Sequence, residues 1–65
     1  MVERNSSRIL ARLKREGWKE VGGKGSHRKL RHEPSGRVIV VPHPKKDLPP
    51  GTAHKIAKQA GWLTE

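Results

Sequence analysis

Residues 26–41 read SHRKLRHEPSGRVIVV, and the patterning of this stretch decides the fold. Ser26 to Glu33 carries one apolar side chain, Leu30, among charged and polar neighbours. Pro34-Ser35-Gly36 then supplies the residue types of a tight turn. Arg37 to Val41 follows, β-branched at four consecutive positions. Two extended runs about so short a turn form an antiparallel hairpin. With Leu30 pointing into a core, strand alternation gathers His27, Lys29 and Arg31 on the opposite face. The second run is different. Val38 and Val40 oppose Ile39 and Val41, so both of its faces are apolar. Either both are covered within the domain, or one is left for a partner.

Working toward the N-terminus, Gly22-Gly23-Lys24-Gly25 precedes the hairpin. Its glycines either expose backbone N–H groups to a phosphate or form a plain flexible loop. The fixed spacing of a P-loop is missing. Trp18 to Val21 reads as a short first strand. Ser6 or Ser7 is the expected N-cap of a helix running to about Glu16, with Gly17 as its left-handed stop. Ile9, Leu10 and Leu13 share one face of that helix. Arg4, Arg8, Arg12 and Arg15 step round the other, as a solvated face or as a ridge tracking phosphates.

Toward the C-terminus, Pro42 to Gly51 is a stiff, proline-rich connector. A last helix is predicted to begin at Pro50 to Thr52, since proline is tolerated in a first turn. Ala53, Ile56, Ala57 and Ala60 form its core-facing stripe. Gly61 ends it, and Trp62 and Leu63 fold back over the core. The expected architecture is a single α+β domain over residues 1–65 in the order α-β-β-β-α.

Composition bounds the chemistry. Sixty-five residues at 31% hydrophobic make a small core and leave no room for a second lobe. Fifteen Lys and Arg against six acids give a formal net charge of +9, a field that favours polyanions and nucleic acid first among them. The absence of Cys excludes disulfides, thiolate-bound zinc and thiol catalysis. No apolar run approaches a membrane span, so a cytoplasmic protein without a membrane partner is expected. With no Phe and no Tyr, the chain cannot build an aromatic platform for stacking bases. If the chain binds RNA, contact must come from charge, shape and backbone, and weak sequence preference is then the expectation.

The four histidines differ in placement. His27 points away from the core, and His32 shares the parity of Leu30. His43 sits between two prolines, and His54 lies on the outer face of the last helix near Lys58. His27 and His32 project from opposite faces of one strand, with no carboxylate pair beside either, so no metal site is expected. Ser26 points the opposite way from His27, and no Ser-His-Asp set stands out. A lone histidine among cations suits one reaction. RNA carries its own nucleophile, the 2′-OH, so cleavage needs only a base, an acid and charge stabilisation at the phosphate. His27 is the candidate base, with Lys24, Gly25, Ser26, Arg28, Lys29 and Arg31 as candidate RNA contacts. His32 and His43 are the possible second participants.

Several blocks carry a resemblance. Gly17-Trp18, then Gly25-Ser26-His27, then Pro42-His43-Pro44-x-x-Asp47-Leu48-Pro49-x-Gly51-Thr52, then Ile56-x-Lys58-Gln59-Ala60-Gly61 resemble the HicA toxin family in order and spacing, from about Ser7 to Leu63. The resemblance implies a double-stranded-RNA-binding-domain-like fold, with two helices on one face of a three-stranded antiparallel sheet. It also implies an mRNA interferase of a type II toxin–antitoxin system, active without metal or cofactor. A HicB-type antitoxin would neutralise it in a hetero-oligomer. The family's catalytic histidine falls on His27. Leu30 stands where phenylalanine is common, and Arg28-Lys29 makes the strand more cationic than is usual.

Two readings from other classes stand beside it. A non-catalytic double-stranded-RNA-binding module would use the same charge and fold through phosphate and 2′-OH contacts. A protein whose main task is partner binding would use the apolar third strand, and a charge at Ile39 or Val41 would then break the complex.

Overall fold

In a computed structural model that describes residues 2–63, the first helix, α1 (Ser6–Arg15), begins after an extended Asn5. The Asn5 side chain accepts the Arg8 N–H at 3.2 Å, so Asn5 is the N-cap, not Ser6 or Ser7. The reason lies outside the helix. Ser6 turns inward, is 1% exposed, and spends its hydroxyl on tertiary contacts. Its Oγ hydrogen-bonds His43 Nδ1 at 2.8 Å and accepts the Lys45 N–H at 2.8 Å. Gly17, at φ 97°, ends the helix where expected. Ile9, Leu10 and Leu13 are buried.

Three antiparallel strands follow, β1 (Trp18–Gly22), β2 (His27–His32) and β3 (Arg37–Pro42), in the order β1-β2-β3. Leu30 lies opposite Glu20 on one side and Ile39 on the other. Leu30, Ile39 and Val41 are essentially without exposure, and Trp18 joins them. The second helix, α2 (Pro50–Gln59), buries Ala53, Ile56 and Ala57 on the same face of the sheet as α1. Trp62 packs back against this core, as expected, and Leu63 is half-buried. Met1, Thr64 and Glu65, the ends of the expected 1–65 domain, lie outside the described residues.

Alternation along β3 resolves its two apolar faces. Ile39 and Val41 belong to the internal core, so the expectation that they dock a partner is corrected. Val38 and Val40 are the uncovered pair, at 41% and 47% exposure. The helix arginines resolve similarly. Arg4 pairs with Asp47 at 3.1 Å, Arg8 with Glu3 at 3.9 Å and Arg12 with Glu16 at 3.0 Å. These three are ion-paired surface residues, while Arg15 is exposed and makes no ion pair among the described residues.

The proline-rich connector is tied to the N-terminal segment. Ser6 N–H donates to Lys45 O at 2.9 Å and Leu48 N–H to Arg4 O at 2.8 Å. Arg4 Nε donates to Leu48 O at 2.8 Å. Leu48 is fully buried. Among the described residues, no helix is long and apolar enough to cross a membrane.

Candidate active site

The outward face of the sheet is built in rows. Lys19, Arg31 and Val38 lie side by side across the three strands, then Gly22, Lys29 and Val40, then His27 beside Pro42. Among the described residues, no acid occupies an outward position within a strand, and Glu33 follows just past the end of β2. The carboxylates of Glu3, Glu16, Glu20 and Asp47 are instead engaged by Arg8, Arg12, Lys14, Arg28 and Arg4. Among the described residues, Lys19, Lys24, Lys29 and Arg31 have no acidic partner. Positive charge therefore stands uncompensated on the face that presents His27.

The backbone of His27 is pinned while its side chain is free. Its N–H donates to Lys24 O at 3.0 Å, closing the glycine turn. The neighbouring Ser26 carbonyl accepts the His43 N–H at 2.6 Å, which ties the start of β2 to the end of β3. Gly25 sits at φ 56°, a left-handed position that brings the chain back into β2. The imidazole is exposed, with no hydrogen-bond partner among the described residues. It is oriented by the strand and open to a ligand.

Two depressions meet at His27. One, of about 350 Å³, is lined with it by Glu20, Gly22, Gly23, Gly25 and Arg28. The other, also about 350 Å³, lies between the outward side of β3 and α2, with Val38, Val40, Pro42, Thr52, Lys55 and Gln59 among its walls.

The remaining sequence candidates separate. Lys29 and Arg31 share the His27 face, and Lys24 is exposed in the turn beside it. Arg28 borders the glycine-side depression, but its guanidinium is held by Glu20 at 2.8 Å, with Lys14 at 3.4 Å on the other carboxylate oxygen. The Arg28 hydrogen bond first, then Lys14, holds the Glu20 carboxyl below its ordinary range. His32 lies against Trp18 with tilted rings, 5.2 Å between centroids and 37° between planes, and bonds Ser35 Oγ at 2.8 Å. Five residues of strand, roughly 16 Å, separate it from His27. His43 turns its Nδ1 to Ser6, away from the outward face. His54 is exposed on α2. Among the described residues, no three His, Cys, Asp or Glu side chains gather so as to hold a metal ion.

Sequence reading missed Lys19 and the α2 wall. Lys19 was hidden because the short first strand shows no clear pattern of faces. The α2 residues were legible in principle. A core stripe of Ala53, Ile56 and Ala57 leaves Thr52, Lys55 and Gln59, spaced at 0, 3 and 7, on a flanking side.

With a nucleophile supplied by the ligand, this arrangement offers an imidazole for proton transfer and fixed cations for a phosphate. Comparison with known families agrees in extent with the fold. A family model described as HicA toxin of bacterial toxin-antitoxin matches residues 6–62, the stretch from the start of α1 to Trp62. Among curated proteins, none matches the chain.

Proposed function

The chain belongs to the HicA toxin family of bacterial toxin–antitoxin systems, and from that premise we propose that it is an endoribonuclease that cleaves mRNA without metal, using His27. One observation carries the reading. Among the described residues, His27 is the only histidine on the outward face it shares with Lys19, Lys29 and Arg31, and its ring is unbonded.

In this mechanism the substrate's 2′-oxygen attacks the adjacent phosphorus as His27 accepts its proton. The bond from phosphorus to the 5′-oxygen breaks, and that oxygen leaves with a proton drawn from solvent water, giving a 2′,3′-cyclic phosphate and a 5′-hydroxyl, while protonated His27 returns its proton to solvent. Lys29 and Lys24 offset charge that builds on the phosphate oxygens, and Arg31 and Lys19 hold flanking phosphates. Family membership implies an antitoxin partner. A HicB-type protein that binds this toxin as a hetero-oligomer and blocks cleavage completes the proposal. Such a partner would also stabilise the small core by mass action.

The test is incubation of purified protein with single-stranded RNA in EDTA. Cleavage products ending in cyclic phosphate are expected, with His27→Ala slowed about 10²–10⁴-fold. Equal cleavage by His27→Ala would remove the histidine mechanism. Intact RNA despite tight, salt-sensitive binding would assign the fold to a non-catalytic RNA-binding module.

A further inference from the structure

We infer that the depression between β3 and α2 is a nucleobase subsite, which seats one base flanking the scissile phosphate and reads it through Gln59. The inference deepens the nuclease reading and takes RNA as the occupant from it.

Three features favour this occupant. The floor is aliphatic: Val38, Val40 and Pro42 line it, and the two valines are about half exposed. A sugar-phosphate backbone has no use for such a floor, whereas a base has an apolar face to lay on it and polar groups only at its edge. The wall is polar and unspent. Gln59 carries both donors and an acceptor on its side-chain amide, Thr52 carries a hydroxyl, and neither side chain has a hydrogen-bond partner among the described residues, the Arg37 guanidinium reaching only the Gln59 backbone carbonyl at 3.3 Å. Finally, the rim is cationic. Lys55 lies in the wall, Lys29 stands across the strand from Val40, and neither has an acidic partner among the described residues.

The depression also opens directly onto His27. A base placed there belongs to a nucleotide next to the reacting phosphate. Its volume of about 350 Å³ falls in the range of small-ligand sites, roughly 300–1,000 Å³. Without an aromatic residue on the floor, stacking alone cannot hold the base. Discrimination then rests on the edge contacts of Gln59 and Thr52, while Lys55 contributes a phosphate contact blind to sequence.

The experiment measures binding of the full chain to short 2′-O-methyl oligonucleotides, which present bases and phosphates but lack the nucleophile. Each position is varied through the four bases, and affinities are read by fluorescence anisotropy. The parent is expected to prefer one base at one position by roughly fivefold or more. Gln59→Ala is expected to narrow the spread of the four affinities at that position, leaving only what Thr52 supplies. Lys55→Ala should weaken all four alike and lower the salt slope by about one phosphate contact. His54→Ala, exposed on α2 outside the depression, serves as the folded control and keeps the parent profile. Equal binding of all bases at every position by the parent overturns the subsite, as does a parent-like profile in Gln59→Ala. A base preference combined with intact unmodified RNA would overturn the nuclease reading while the subsite stands.

Discussion

The backbone of Gly23 approaches the carbonyl oxygen of His27 so closely that a Cβ at residue 23 would collide with it. Gly23 also holds φ at 132°, a region that side-chain-bearing residues avoid. The glycine turn is therefore part of what positions His27, not a slack connection between strands. Gly23→Ala should shift the start of β2 and cost about 1–3 kcal/mol. A urea melt measures the loss, and RNA cleavage should fall further than the change in folded fraction explains. An unchanged melt and unchanged activity would mean the turn relaxes freely.

Ser6 and His43 give the second prediction. Ser6→Ala removes a buried hydroxyl that bonds His43 Nδ1 and receives the Lys45 N–H. Those two groups are left without their partner at the junction of α1 with the proline-rich connector. The expected loss is about 1–3 kcal/mol, seen as a lower urea midpoint at constant slope. Ser7→Ala, at an exposed neighbour, should move stability by no more than about 0.5 kcal/mol.

Along β3, adjacent residues should respond oppositely. Ile39 is 1% exposed, so Ile39→Ala should cost about 2–5 kcal/mol through lost burial and the cavity it leaves. Val40 is 47% exposed, and Val40→Ser should stay within about 0.5 kcal/mol. Thermal or urea unfolding of the pair tests the alternation directly. Similar losses for both would mean that the outward face is covered.

Acid should weaken the fold through two carboxylates. The Trp62 indole N–H at 2.6 Å, with Arg12 behind it, holds Glu16 below the ordinary 4.5. Arg28, then Lys14, does the same for Glu20. A depressed folded-state pKa means the unfolded chain binds more protons in this range. The stabilisation is thus fully present above the unfolded value of 4.5 and is lost as pH falls through each folded value. Urea midpoints from about pH 6 to about pH 3 should decline, and the decline should be shallower in Glu16→Gln and Glu20→Gln. Because both carboxylates are on the surface, the effect should shrink in high salt.

Whatever depends on local periodicity and composition was legible in the chain before any contact was known. One apolar residue in Ser26–Glu33 sufficed to point Leu30 inward and His27 outward, because the strand period of two admits no intermediate choice. Ile9, Leu10 and Leu13, and Ala53, Ile56 and Ala57, marked the buried faces of both helices for the same kind of reason. Which polar groups meet was set by packing between distant segments. Ser6 lost its capping role to Asn5 because His43 and Lys45, far along the chain, offered its hydroxyl a buried partner. Arg28 was drawn to Glu20 on the neighbouring strand, while Lys29, one residue on, stayed unpaired on the His27 face. Which valines of β3 remain uncovered depended on the register that sets Ile39 opposite Leu30. The groove beside His27 exists because α2 runs along β3. No local pattern encodes that docking, since it follows from how both helices share one small core.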